Sequence, residues 1–362
     1  MRFGGRLMTT LATAAAATAL LSAQAGVLAA HRPAAKLPVF VVANWEDYGS
    51  DAPWVVSYFE KTYHCIIKPV YYNSEEQALN ILRTGGVGKV DVVLPNLEYL
   101  RPAAQENLLQ PIDVSKLSNF KYLYPILQKE PYDRYNGKDY GVPWMWGTTG
   151  LAYNTKAIKA KLDSWSALWN PAYKGKIGFY SDPETAIMIA ALYLHENPYH
   201  PNLAKVKAAL IQQKQLDKLY WTSANDWQHA FTSGAITVGS LWSGLAGTDI
   251  GQNLPIAYVI PKEGAVGWVD NWAIVRNAPH LQLAYDWINY MISLQFQGRY
   301  ATDLSQEPPA PSNSLVASHV STKIKNIIGL HPQWLPHLIL QLPMPASQLT
   351  QWTDLFQAVQ SQ

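Results

Sequence analysis

The sequence predicts a two-lobed α/β protein in which each lobe is a mostly parallel sheet flanked by helices. Short apolar segments alternate with segments of helical periodicity from Pro38 onward, and a second series of the same kind begins near Leu151. Strands and helices that alternate at this spacing are typical of βαβ units on a parallel sheet. The 362 residues of the chain suffice for two such lobes.

Each predicted element corresponds to one short run of residues. In the first series we expect strands at 39–43, 65–72 and 90–94 and helices at 53–62 and 75–84. In the second series we expect strands at 176–180, 236–241 and 270–276 and helices at 184–195 and 281–293. The last helix places five apolar residues on one face, namely Leu283, Ala284, Trp287, Ile288 and Met291. Because proline interrupts helices and central strands, the stretch 308–311 is predicted to cross between the lobes.

Residues 1–30 are predicted to be a secretory signal peptide. Arg2 and Arg6 precede a small apolar run, no acidic residue occurs, and Ala23 and Ala25 form a cleavage site of the A-x-A type. A membrane anchor is the alternative, but the run is alanine-rich and shorter than a spanning helix requires. We therefore expect a protein that is released into the periplasm.

Composition excludes some classes of partner. Without Arg2 and Arg6, 26 of the 28 Lys and Arg residues remain against 26 Asp and Glu, and no basic stripe indicates a nucleic-acid partner. The one cysteine, Cys65, lies in an apolar segment and is predicted to be a buried, unreactive thiol. The chain has 14 Trp and 21 Tyr but 8 Phe, so most of its rings carry a polar handle or an electron-rich face.

The first strand ends in aromatic and acidic residues. Trp45, Asp47 and Tyr48 follow it at the edge where open α/β sheets bind ligands. An ammonium group over an aromatic face gains about 0.5 to 2 kcal/mol, and a carboxylate adds hydrogen bonds of roughly 1.5 to 3 kcal/mol. The segment therefore favours a cationic ligand, although Asp47 could instead cap a helix and Trp45 could pack on the sheet.

Later strand ends repeat this pattern, and the segment 142–147 is predicted to be one of them. They provide five further candidates: Asp182, Glu184, Trp242, Trp268 and Asp270. Asp182 precedes Pro183 and could serve only as a helix N-cap. Asp270 lies between two tryptophans at the start of an apolar strand, where an unpaired charge would be costly, so we expect a cationic partner for it.

Five segments occur in an order and at a spacing that resemble a known family. They are 44–48 (NWEDY), 91–95 (DVVLP), 142–150 (VPWMWGTTG), 164–176 (SWSALWNPAYKGK) and 261–264 (PKEG), the last leading to Trp268 and Asp270. They are similar to segments of the periplasmic spermidine/putrescine-binding proteins of bacterial ABC transporters, over about residues 38–313. The resemblance implies the type II periplasmic-binding-protein fold, with a ligand cleft between two lobes formed by 36–145 with 269–315 and by 146–268 with 316–362.

The resemblance also implies a ligand and a set of binding residues. The ligand would be a polyamine, with its methylene groups between aromatic rings and its amines on carboxylates. Trp45, Asp47 and Tyr48 would come from the first lobe, Asp182 and Trp242 from the second, and Trp268 and Asp270 from the crossover that returns between them. A monomeric protein of this kind would deliver its ligand to a membrane permease, without enzymatic activity, cofactor or metal.

Departures from the family pattern concern one end of the expected cleft. Asn96 stands where the family has a small hydroxyl residue, and Glu98 stands where it has an aromatic one. The glutamate expected at Thr185 is absent, with Glu184 beside it, so Asn96, Glu98 and Glu184 join the candidate binding residues. Leu245 replaces an acid of the putrescine binders, and 306–309 lacks a Gly-Tyr signature. The Asp270 end is unchanged, whereas the length and charge of the ligand stay open.

Three alternative functions have less support in the sequence. An enzyme is unsupported, because the nine histidines are scattered and none of the common nucleophile, phosphate-binding or zinc-protease motifs occurs. A ferric-ion binder would use paired tyrosines, and Tyr71 and Tyr72 are adjacent, although packing at a strand end explains them more simply. A betaine-like or other amine would also suit the aromatic strand ends.

Overall fold

A computed structural model of the chain describes residues 36–46, 48–129, 133–306 and 308–362. The predicted signal peptide and the predicted site residue Asp47 lie outside the described residues. Within the four described ranges, no helix is long and apolar enough to cross a membrane.

The strands and helices alternate along most of the chain. The strands are β1 (Val39–Trp45), β2 (Ile66–Tyr72), β3 (Val92–Val93), β4 (Arg134–Tyr135), β5 (Lys138–Asp139), β6 (Val142–Asn154), β7 (Ile177–Tyr180), β8 (Asp217–Trp221), β9 (Val238–Trp242), β10 (Ile256–Val259), β11 (Val266–Ile274), β12 (Ala310–Pro311) and β13 (Ile339–Leu340). The α-helices are α1 (Pro53–Tyr63), α2 (Glu75–Ile81), α3 (Leu97–Gln105), α4 (Pro125–Gln128), α5 (Pro183–Tyr193), α6 (Leu203–Lys214), α7 (Ala224–Thr232), α8 (Ser243–Gly251), α9 (Leu281–Met291), α10 (Leu294–Tyr300), α11 (Val316–His319), α12 (Thr322–Ile327) and α13 (Ala346–Gln360).

The first lobe is built on β1, which lies between β2 and β3 and is parallel to both. Local sequence signals start its helices. Pro53 occupies the first turn of α1, where a backbone N–H has no acceptor within the helix and its absence therefore costs no hydrogen bond. The Ser74 side chain caps α2 by accepting a hydrogen bond from the Gln77 N–H. Because β1 and β3 run the same way, their carboxyl ends bring Trp45 and Asn96 to one edge of the sheet.

The second lobe repeats this arrangement around β7, which is parallel to β8 and β9. Asp182 and Pro183 start α5 directly after β7. The segment of α5 from Ala186 to Ala191 is fully buried, as expected for a helix that is apolar on all sides. It is covered by the C-terminal helix α13, which contributes Trp352 and Phe356 to the same core.

Two long antiparallel strands connect the lobes. β6 and β11 pair with each other, while the distal part of β6 pairs with β9 and the distal part of β11 pairs with β3. The pairing of β6 with β11 shifts register between Asp270 and Asn271. A bulge of this kind bends a strand and redirects its side chains, and it lies between the part of β11 that pairs with β13 and the part that pairs with β3.

The predicted α/β architecture is confirmed, with corrections at four elements. The strand predicted over 270–276 is β11 (Val266–Ile274), so Trp268 and Asp270 lie within the strand rather than before or at its start. Residues 142–147 are not a strand end, because they belong to the 13-residue strand β6. The helix predicted over 75–84 ends at Ile81 and continues as one wide turn to Gly86, with Gly85 at a φ of 117°. The stretch 308–311 was expected to belong to neither a helix nor a strand. Instead, Ala310 and Pro311 pair with β6 as an edge strand, a position at which proline is tolerated.

Two side-chain predictions are also confirmed. Cys65 is 1% exposed, and burial raises the pKa of its thiol to about 11, so it stays protonated and unreactive. Four residues of the predicted apolar face of α9 are buried, and the fifth, Leu283, packs against them while partly exposed. The residue boundaries of the two lobes stay a prediction.

One close approach in the second lobe gives a test of packing. A Cβ added at Gly247 in α8 would lie 1.6 Å from the carbonyl oxygen of Ile327, whereas one added at Gly251, in the last turn of the same helix, would meet its nearest atom at 3.4 Å. We expect Gly247→Ala to lower the free energy of unfolding by about 2 kcal/mol or more, as overpacking does. Gly251→Ala is the matched control and should be neutral or slightly stabilising, as measured by urea denaturation. Equal stability of the two variants would contradict this packing.

Candidate ligand-binding cleft

Most of the described residues predicted for the site interact with one another through hydrogen bonds, ring contacts or charge, and we call the region that they share the candidate cleft. Trp45, Tyr48, Asn96 and Glu98 come from the first series of elements, Asp182, Glu184 and Trp242 from the second, and Asp270 from β11. Trp268 lies two residues before Asp270 on β11, and its ring lies against Gly147. Asp47 is the one predicted residue that cannot be placed, since it lies outside the described residues.

Asp270 lies at the bend of β11 and is 6% exposed. The hydroxyl of Tyr48 donates a hydrogen bond to its Oδ2 at 2.7 Å, and its backbone forms a bridge with Asn96. Burial raises the pKa of Asp270 to about 7, although the Tyr48 hydrogen bond stabilises the charged form and opposes that rise. Asp270 therefore changes its charge near neutral pH, and a nearby cation would hold it ionised.

Glu75 is a cleft residue that sequence reasoning missed. It is the first residue of α2, and its carboxylate accepts hydrogen bonds from the Trp45 indole and from the backbone N–H of Asn96. Its Oε2 is buried and has no hydrogen-bond partner among the described residues. Burial and the charge of Asp270 raise its pKa well above the ordinary value. Only its position after Ser74, at the end of a β-strand, could have indicated this role.

Glu98 and Glu184 are close enough for the charge of Glu184 to act on Glu98. Glu98 lies in the first turn of α3 and Glu184 in the first turn of α5, and they are 7% and 4% exposed. Burial, followed by the charge of Glu184, raises the pKa of Glu98 well above its usual range, and burial also raises the pKa of Glu184. The two carboxyl groups act as a coupled pair in which the second ionisation is opposed.

Asp182 combines two roles that the sequence had left as alternatives. Its Oδ1 accepts a hydrogen bond from the Thr185 N–H at 2.8 Å, so it caps α5. Its charge also reaches the cleft, because it raises the pKa of Glu184 and of Tyr180. Burial raises its own pKa, and the capping bonds oppose that rise.

Five carboxyl groups thus share the cleft, and we name them the acidic cluster: Glu75, Glu98, Asp182, Glu184 and Asp270. Among the described residues, no Lys, Arg or His forms an ion pair with any of them. Glu98, Glu184 and Asp270 are buried, whereas Glu75 and Asp182 are partly exposed. Buried carboxylates without a cationic partner are costly, so the three buried groups favour the binding of a proton or a cation.

Aromatic rings line the cleft on both sides. In the first lobe the Trp45 and Tyr72 rings meet edge to face at 5.3 Å. In the second, Trp242 contacts Tyr180 at 4.9 Å and Trp221 at 4.8 Å. Tyr72, Tyr99 and Tyr180 were not predicted as site residues, yet each interacts electrostatically with members of the acidic cluster. Rings of this kind present the electron-rich faces and edges that contact methylene groups and cations.

Trp268 lies opposite Gly147 on the paired strands β11 and β6. Its indole occupies the space that a side chain at position 147 would need, because a Cβ added there would lie 2.3 Å from Cζ2 of Trp268. Its Nε1 is buried without a hydrogen-bond partner among the described residues. The absence of a side chain at Gly147 therefore leaves room for the Trp268 indole, and the Nε1–H of that indole has no acceptor among the described residues.

The geometry disfavours the ferric-ion alternative. Tyr71 and Tyr72 are adjacent on β2, so their side chains point to opposite faces of the sheet. Tyr71 is exposed, whereas the Tyr72 hydroxyl is buried and donates to the carbonyl oxygen of Leu94. Across the ranges that the structure covers, no group of three or more His, Cys, Asp or Glu residues is arranged to hold a metal ion.

Gly147 and Trp268 provide a direct test of this geometry. We expect Gly147→Ala to displace the Trp268 indole and to lower stability, because the new methyl group overlaps the ring. The loss should be smaller when Gly147→Ala is made in a Trp268→Ala background, and a double-mutant cycle by thermal denaturation measures that coupling. Additive effects of the two substitutions would show that the indole does not occupy this space.

Comparisons with known proteins show what the chain is similar to. The chain is 29% identical over 293 residues to the spermidine/putrescine-binding periplasmic protein of Escherichia coli (strain K12), which covers 80% of this chain and 82% of that protein. It is 30% identical over 336 residues to the putrescine-binding periplasmic protein SpuD of Pseudomonas aeruginosa (strain UCBPP-PA14), which covers 87% and 89% of the two chains. These relatives confirm the resemblance found in the sequence.

A solved structure confirms the fold class. The spermidine/putrescine ABC transporter substrate-binding protein PotD from Streptococcus pneumoniae strain Canada MDR_19A superposes with a TM-score of 0.74 at 20% identity and covers 90% of this chain and 99% of that one. The chain therefore has the two-lobed type II fold of periplasmic binding proteins. The family model for bacterial extracellular solute-binding proteins matches residues 54–325, and the chain belongs to that family.

Proposed function

We propose that this protein captures a polyamine in the periplasm and delivers it to the membrane permease of an ABC importer. The observation that carries the proposal is the acidic cluster, which has three buried members, lies among aromatic rings and has no basic partner among the described residues. The relatives are spermidine- and putrescine-binding proteins, which supports the same ligand class.

The cleft suits the chemistry of a polyamine. Each ammonium group can donate charge-assisted hydrogen bonds to a carboxylate, worth roughly 1.5 to 3 kcal/mol. The methylene groups between the amines can lie against the rings of Trp45, Trp242 and Trp268. Removal of these groups from water adds about 0.8 kcal/mol for each buried methylene. A betaine-like ligand is less suitable, because its own carboxylate would enter a cleft that is already acidic.

Closure of the lobes follows from the same charges. Glu98 lies on the first lobe and Glu184 on the second, so without a cation their approach brings two carboxyl groups together in a buried site. A bound ammonium removes that repulsion, and the closed state then becomes the more stable one. The ligand shifts the population toward closure because it contacts both lobes only in that state.

Export, a monomeric state and the absence of enzymatic activity are parts of the same proposal. A binding component captures and releases its ligand unchanged, so the cleft needs charge and shape rather than a nucleophile. In this proposal the acidic residues bind cations and do not transfer protons to a substrate. Incubation with spermidine and putrescine should return both amines unaltered.

Asp270→Asn tests the proposal. We expect it to weaken spermidine binding at least tenfold, or about 1.4 kcal/mol, because the amide keeps the shape but loses the charge. Isothermal titration calorimetry gives the affinity, and thermal denaturation checks that the fold is intact. Asp249→Asn is the control, because Asp249 is also buried but accepts its hydrogen bond from Trp227 outside the cleft. Unchanged affinity of the Asp270 variant would remove this residue from the site.

The pH dependence of binding supplies a second test. Since the pKa of Asp270 is raised to about 7, the free protein carries a proton there below that pH, and a cationic ligand must displace it. We expect the affinity for spermidine to fall at least about tenfold between about pH 8 and about pH 6. Asp270→Asn should flatten part of this dependence. A wild-type affinity that is constant over the range would contradict the assignment.

A further inference from the structure

Arg83 is the centre of a hydrogen-bonded network outside the candidate cleft. It follows α2 in the turn Leu82–Gly86. Its guanidinium binds Glu106 in a bidentate manner, since Nε donates to Oε2 at 2.7 Å and Nη2 donates to Oε1 at 2.7 Å. Its Nη1 donates to Glu76 Oε1 at 2.6 Å and to Asn80 Oδ1 at 3.1 Å. One side chain thus connects two carboxylates and an amide.

The network ties together two helices that begin at the cleft. Arg83 and Glu106 lie at the C-terminal ends of α2 and α3. At the opposite ends, Glu75 begins α2, and Asn96 caps α3 by accepting a hydrogen bond from the Leu97 N–H at 2.7 Å. The two helices also share one apolar cluster. The guanidinium therefore restrains how α2 and α3 lie relative to each other.

The direction of the Glu75 side chain depends on the rotation of α2 about its own axis. Glu76, Asn80 and Arg83 follow one another at spacings of four and three residues, so they lie on one face of the helix. Glu75 precedes Glu76 by one residue, which places it about 100° around the helix from that face. Only two of the seven residues of α2 are buried, so core packing by itself restrains the rotation weakly.

A rotation of α2 would be felt in the cleft. The Glu75 carboxylate accepts hydrogen bonds from the Asn96 N–H and from the Trp45 indole, and the backbone of Asn96 forms a bridge with Asp270. These contacts join α2 to the strand that carries Asp270. They require that the first turn of α2 keeps its orientation, and the ion pairs of Arg83 are the polar contacts that fix it.

We propose that Arg83 is a positioning residue for ligand binding, which holds α2 against α3 so that the Glu75 carboxylate stays directed into the candidate cleft. The inference rests on the proposed function and adds to it a residue outside the cleft. Among the described residues, the hydrogen bonds of Arg83 go to Glu76, Asn80 and Glu106 and to no member of the acidic cluster. Exposed ion pairs usually contribute little, but a bidentate arginine within a network is the exception.

A double-mutant cycle tests whether Arg83 acts through Glu75. Titration calorimetry with spermidine gives the affinities of the wild type, Arg83→Met, Glu75→Gln and the combined variant. We expect Arg83→Met alone to weaken binding about fivefold, because methionine keeps the apolar stem but makes no ion pair. In the Glu75→Gln background the same change should weaken binding less than about twofold, since the charge that Arg83 positions is already gone.

A control variant and a conservative variant separate positioning from general stability. Arg134→Met is the control, because Arg134 pairs with Asp139 across the hairpin of β4 and β5, and it should change the affinity less than about twofold. Arg83→Lys keeps the charge but loses the bidentate geometry, so it should recover part of the affinity that Arg83→Met loses. An affinity no higher than that of Arg83→Met would contradict the role of the ion pairs.

The outcomes distinguish this inference from the proposed function. An unchanged affinity of Arg83→Met, or an equal loss with and without Glu75→Gln, would overturn the positioning role and leave polyamine binding in place. A wild type that does not bind spermidine would overturn both. Thermal denaturation checks that each variant is folded. If Arg83→Met is unstable, Glu106→Gln weakens the same network from α3 and should show the same dependence on Glu75.

Discussion

The interaction on which the cleft depends is the one between buried carboxylates and a positive charge that the protein itself does not supply. Five acidic side chains converge from β11, α2, α3 and α5, and no described basic residue pairs with them. In a folded core such an arrangement is unfavourable, because the hydrogen bonds from Tyr48, Asn96 and Thr185 neutralise none of the negative charge. Its presence between two lobes makes the missing charge the natural ligand.

The scaffold explains how one small cation can act on both lobes. β6 and β11 pass between them as paired antiparallel strands, and Asp270 lies at the register shift of this pair. The carboxyl ends of the parallel strands β1, β3 and β7 then bring their loops to the same cleft. Asp270 therefore lies between the strands β1 to β3 and the strands β7 to β9 of one continuous sheet.

Close packing supports the aromatic lining. The Trp268 indole occupies the space that a side chain at position 147 would need, and glycine leaves that space free. The Tyr48 ring packs edge to face on Trp144 at 5.2 Å, while its hydroxyl donates a hydrogen bond to Asp270. The rings of Tyr48 and Trp268 are thus held in place by Trp144 and by the backbone at Gly147. This rigidity lowers the entropy lost when the cleft orders around a flexible chain of methylene groups.

The sequence by itself determined the alternation of strands and helices, the apolar face of α9, the buried Cys65 and the strand ends that carry Trp45, Asp182 and Trp242. These features are local, since periodicity and capping residues act within a few positions of the chain. Only the tertiary structure decided that residues 142–147 belong to one long strand, that Asp270 lies within β11 and that Glu75 interacts with Asp270. Contacts between residues that are tens of positions apart depend on how the whole chain folds, and local sequence patterns do not indicate which distant residues will meet.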